Sequence, residues 1–81
     1  MRTLAELPHP ECKITIFGMN QKYIIKFEQG NLEQTYKIAK ADILNGVNGV
    51  FELLDEEFIN KVLNVFSDMR TCFINTYNNY N

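Results

Sequence analysis

Apolar and polar residues alternate with period two in three stretches between residues 12 and 40, then recur every three or four positions from 56 to 77. The first pattern predicts strands with one buried face, and the second predicts an amphipathic helix. In 12–18, Cys12, Ile14 and Ile16 point one way, and Lys13, Thr15 and Phe17 the other. In 22–29, Tyr23, Ile25 and Phe27 oppose Lys22, Ile24, Lys26 and Glu28. In 32–40, Leu32, Gln34, Tyr36 and Ile38 oppose Glu33, Thr35, Lys37 and Ala39. The fold class this predicts is α+β: a three-stranded antiparallel β-meander followed by a long C-terminal helix.

The breaks between strands set the register. A turn at Met19-Asn20 pairs Ile16 with Tyr23, Ile14 with Ile25 and Cys12 with Phe27. A turn at Gly30-Asn31, where the first central residue needs positive φ, pairs Phe27 with Gln34, Ile25 with Tyr36 and Tyr23 with Ile38. Both hairpins put their apolar residues on the same face of the middle strand, and a slip of one residue in either destroys that agreement. The second register sets Glu28 against Glu33, a like-charge pair. A longer loop, with Phe27 opposite Leu32, brings Lys26 opposite Glu33 instead, and both registers stay open.

Outside the strands the signals are weaker. Residues 1–10 read as an extended entry segment, because Pro8 and Pro10 favour extended backbone. Asn45-Gly46 and Asn48-Gly49 are turn signals, and 48–54 reads as a short helix in preference to a fourth strand. Asp55 suits the N-cap of the main helix, with Glu56 and Glu57 in its first turn. The tail 78–81 lacks helix formers and is expected to fray. The whole chain of 81 residues is expected to be one domain.

Length turns this picture towards a partner. A helix over 56–77 is roughly 33 Å long, whereas seven-residue strands span only ~23 Å. The last turns, carrying Phe73, Ile74 and Tyr77, are expected to overhang the sheet. Phe17, Met19 and Ile24 place further apolar surface on the second sheet face. A small monomer seldom exposes that much, so a homodimer through the helix or the sheet is expected, with Met69, Phe73, Ile74 and Tyr77 as candidate contacts. Twofold dimers are the commonest soluble oligomers.

Charge qualifies the second face. The net charge is −2, but residues 1–40 hold six basic and four acidic groups while 41–81 hold two basic and six acidic. Lys13, Lys22, Lys26 and Lys37 share a sheet face with Phe17, Thr15 and Thr35. Lysines around an exposed aromatic suit single-stranded nucleic acid, by phosphate pairing and base stacking, and this is the alternative function. Lysines on strands also simply keep a sheet surface soluble.

No other pattern carries chemistry. His9 and Cys12 are two potential ligands where structural zinc takes four. Nothing orients a Cys-His nucleophile pair. Glu56 and Glu57, adjacent on a helix, point in different directions. Gly18, Gly30, Gly46 and Gly49 fall singly and form no phosphate-binding loop. The expectation is a non-enzymatic protein with no catalytic, cofactor-binding or metal site. No apolar run reaches the ~18–20 residues of a membrane span. Without an export signal, Cys12 and Cys72 are expected to be reduced, in the cytoplasm.

The runs Lys13-Ile14-Thr15-Ile16-Phe17-Gly18-Met19-Asn20, Lys22-Tyr23-Ile24-Ile25-Lys26-Phe27-Glu28-Gln29-Gly30 and Leu32-Glu33-Gln34-Thr35-Tyr36-Lys37 resemble short uncharacterised proteins of Bacteroides-type bacteria. The resemblance covers most of the chain and implies a bacterial cytoplasmic setting, with no activity attached. A meander followed by a helix also resembles dimeric single-strand-binding transcription cofactors at the level of fold, with one strand fewer here.

Overall fold

The computed structural model describes residues 1–80. It has four strands, not three: β1 (Arg2–Leu7), β2 (Lys13–Met19), β3 (Lys22–Gln29) and β4 (Leu32–Ala39). They form one antiparallel meander in the order β1-β2-β3-β4. A single 3₁₀ turn (Lys40–Asp42) leads to α1 (Val47–Leu53), and α2 (Glu56–Tyr80) closes the chain.

β1 is the largest departure from the sequence reading, because the expected entry segment is a paired strand. Its register with β2 shifts between Thr3 and Ala5. That bulge breaks the alternation, since Leu4 and Ala5, adjacent in sequence, both pack against the core. A period-two template therefore fails on Arg2–Leu7, although the backbone is extended as Pro8 and Pro10 suggest.

The β2–β3 hairpin differs in register. Ile16 pairs with Ile25 and Ile14 with Phe27, and the tight turn falls at Asn20-Gln21 with Asn20 at φ 55°. Each strand has moved one residue from the expected alignment. The two shifts together preserve parity, so the same side chains remain on the core face. The β3–β4 register is the shorter-loop alternative, with Phe27 opposite Gln34 and Glu28 opposite Glu33. Gly30 takes φ 58° at that turn. The like-charged pair is relieved diagonally by Lys26, whose Nζ lies 3.6 Å from Glu33.

The core lies between one sheet face and the two helices. Ile14, Ile16, Phe27, Val50, Val62 and Phe66 are its largest fully buried side chains. Tyr36, expected inside, is 38% exposed because β4 is an edge strand with nothing beyond it. Its ring still meets Phe27 and Phe58 edge-on, at centroid distances of 5.9 and 5.5 Å. Ile38 is only partly buried.

The short helix forms near its expected place, but Gly49 is not a turn residue. It is buried within α1, where a Cβ would lie 2.1 Å from the Leu44 carbonyl oxygen. The glycine is needed there for close approach of the chain to itself. Asp55 caps α2 as expected, its Oδ1 accepting from the Phe58 amide at 2.8 Å. The helix continues through Asn78, Asn79 and Tyr80, which were expected to fray. Once a helix is nucleated, each added residue gains a hydrogen bond at little extra cost. Residue 81 lies outside the described residues.

Candidate interaction surfaces

The chain's surfaces follow from how α2 sits on the sheet. Gln34, buried on β4, donates from Nε2 to the Val62 carbonyl at 2.9 Å and accepts from the Tyr36 hydroxyl at 2.6 Å. This satisfied polar pair fixes the N-terminal third of α2 against β4. Arg70 donates from Nη2 to the side-chain oxygen of Gln29, and Gln29 donates to the Glu11 carbonyl at 2.9 Å. These bonds pin the helix where it leaves the sheet.

Beyond that point α2 has no support. At 1.5 Å per residue the helix is about 37 Å long, against ~27 Å for an eight-residue strand. The long axis of the molecule accordingly reaches 48 Å against 25 and 20 Å for the others. Every residue from Arg70 to Tyr80 is exposed. Phe73 and Tyr77, each 58% exposed, pack on each other at 6.3 Å between centroids. With Ile74 they overlook a cleft of about 600 Å³ whose other wall is the β3–β4 turn and Leu32. Met69, grouped with them in the sequence reading, is instead partly buried against the core.

The opposite sheet face carries no helix. Lys13, Phe17, Lys22, Lys26 and Lys37 do share it, as the alternation predicts. Thr15 and Ile24 are nevertheless buried there, at 3% and 5% exposure, beneath longer neighbours. Phe17 and Lys37 lie directly opposite Ile24 on the flanking strands, so an aromatic ring and a lysine stem shield it. β1 adds a group that the three-strand reading lacked: Glu6 sits 3.7 Å from Lys13 Nζ. With Glu28 and Glu33, three carboxylates now stand among four lysines. Among the described strand residues of this face, those at the end bearing Lys22, Lys37, Phe17 and Met19 include no carboxylate.

A second cleft, of about 490 Å³, opens on the core face of β4, between Tyr36 and Ile38 on one side and Leu53 and Phe58 of the helices on the other. Alternation does not reveal it, because it places Tyr36 and Ile38 in a closed core. The signal available was β4's position at the end of the meander.

The remaining candidates stay apart. His9 Nδ1 accepts from the Glu11 amide at 3.1 Å and lies 3.9 Å from Cys12 Sγ. Its lone pair is thus engaged by the backbone. Burial, and secondarily the charge of Glu11, raises the Cys12 thiol above its ordinary value, which disfavours the nucleophilic thiolate. Cys12 and Cys72 are both free. Among the described residues no group of three or more His, Cys, Asp or Glu side chains is placed to hold a metal ion, and no helix is long and apolar enough to cross a membrane. Compared with protein-family models, with curated proteins and with solved structures, the chain matches none.

Proposed function

We propose that this chain is a small non-enzymatic homodimeric interaction module, with the overhanging half of α2 as part of its dimer surface. One observation carries the reading: Phe73, Ile74, Tyr77 and Tyr80 continue the core stripe of α2 into open solvent. Side chains of this size present an apolar patch on the order of 500 Å² per copy. Two such patches reach the ~1,000 Å² that a specific interface needs. Residues 71–80 carry no charged side chain, so two copies approach without repulsion. The setting is the bacterial cytoplasm implied by the sequence resemblance, which suits two free cysteines.

Light scattering tests the reading. The expected result is a dimer in the wild type that is lost in Phe73→Asp while the circular dichroism of the fold persists. A wild-type chain that stays monomeric up to millimolar concentration overturns it.

Single-stranded nucleic acid is the second reading. Lys22 and Lys37 favour it, since they flank Phe17 and Ile24 at the end of the open sheet face whose described strand residues include no carboxylate. It requires salt-sensitive binding that weakens in Lys22→Glu. An absence of binding at low salt rejects it.

A further inference from the structure

The two edges of the sheet differ in kind. β1 is six residues long, bulged between Thr3 and Ala5, and followed at once by Pro8. Bulges and prolines are common ways of blocking an edge. β4 is eight residues long and pairs with β3 without interruption from Leu32 to Ala39. Its outer side has no partner strand, and the strand holds no proline.

The sequence of β4 is also complementary to itself. Leu32-Glu33-Gln34-Thr35-Tyr36-Lys37-Ile38 is centred on Thr35. An antiparallel pairing of two copies about Thr35 sets Glu33 against the partner's Lys37 and Lys37 against the partner's Glu33. It sets Leu32 against the partner's Ile38, Gln34 against the partner's Tyr36, and Thr35 against the partner's Thr35. Opposite charges, paired apolar groups and threonine pairs are the favourable cross-strand combinations. Directly opposed residues must share a face, so the axis moves only in whole residues. An axis at Gln34 faces Glu33 with Thr35 and Lys37 with Asn31. An axis at Tyr36 faces Leu32 with Lys40 and Gln34 with Ile38. Both lose the two charge pairs. Lys37 has no carboxylate partner within its own chain among the described residues.

The geometry points to β4 as the pairing edge of the homodimer: two copies join antiparallel about Thr35 into one eight-stranded sheet. This rests on the homodimer reading above and gives it an axis and a register. The axis is perpendicular to the sheet, so both α2 helices lie on one face and run antiparallel. Each overhang leaves its own sheet beside Leu32, which faces the partner's Ile38. It thereby comes alongside the partner's 40–53 segment, where Leu44 and Phe51 are exposed. The cleft along β4, lined by Tyr36, Ile38 and Leu53, is covered by the same pairing.

A charge swap read by sedimentation equilibrium is the test. Lys37→Glu and Glu33→Lys each turn two opposite-charge pairs into like-charge pairs, and each is expected to weaken the dimer on the order of ten-fold. The double variant Glu33→Lys/Lys37→Glu restores both pairs and is expected within about three-fold of the wild type. On a Cys72→Ser background, Thr35→Cys is expected to link two copies by a disulfide under mild oxidation, while Glu6→Cys on β1 does not. If both single variants dimerise like the wild type, or the double variant is no tighter than the weaker single one, the β4 pairing is wrong. A dimer that ignores the charge variants yet fails in Phe73→Asp overturns the pairing and leaves the homodimer reading standing. A monomeric wild type overturns both.

Discussion

The two halves of α2 carry one stripe with two fates. Over 56–69 the stripe lies on the sheet: Val62 and Phe66 are fully buried, and Phe58, Ile59, Leu63 and Met69 are partly so. Over 70–80 the same spacing continues through Phe73, Ile74, Tyr77 and Tyr80, and every side chain is exposed. What separates the halves is the length of the strands beneath them, not their residue types. An amphipathic pattern therefore marks an apolar face without showing whether the sheet beneath it is long enough to cover it.

The sharpest way to break this comparison is to truncate one aromatic in each half. Phe66→Ala is expected to cost about 3–5 kcal/mol in urea denaturation at monomer concentrations, because it empties a closed site. Phe73→Ala at the same concentrations is expected to cost less than about 1 kcal/mol, since its ring is already largely in water. Its effect is instead expected in self-association. Equal losses in the two variants would show that the overhang packs within its own chain.

Gln34→Ala is next in size. It leaves a buried strand position empty and removes the donor to the Val62 carbonyl and the acceptor for Tyr36. A loss of about 1–3 kcal/mol is expected by the same denaturation measurement. Asp55→Ala removes the N-cap bond at the start of the covered half and is expected to cost about 1 kcal/mol.

The smallest expected effect concerns the cysteines, one in each environment. Cys72, exposed on the overhang, is expected to react with a disulfide reagent at near-peptide rates, while Cys12 waits for opening of the fold. Burial favours the neutral Cys12 thiol, so its folded pKa is above the ordinary 9.0. The stabilisation is complete below the unfolded value and is lost as pH rises through the raised folded one. Urea midpoints compared at about pH 8 and about pH 10.5 should fall more in the wild type than in Cys12→Ala. Equal falls would show that burial does not hold this thiol neutral.

The sequence makes the covered half of the molecule far more legible than the rest. Ile14, Ile16, Tyr23, Ile25 and Phe27 face the core because alternation fixes parity, and parity survives the shift in the first hairpin. Asp55 reads as a cap because a carboxylate before an apolar helix has few other uses. β1 is hidden by its own bulge, which makes Leu4 and Ala5 point the same way. Gly49 looks like a turn because a sequence does not show the Leu44 carbonyl behind it. The candidate surfaces divide likewise. The overhang follows from counting residues, whereas Glu6 among the lysines and the open cleft beside β4 require the sheet order.

Hydrogen exchange of the α2 amides, followed across protein concentration, tests the central claim most directly. If the overhang is an interface between copies, protection over 70–80 rises with concentration, in step with a molecular mass that approaches twice the 9.5 kDa of one chain. Protection over 56–69 is then already high at the lowest concentration. Protection over 70–80 that stays low and constant, with the mass fixed at that of one chain, contradicts the account.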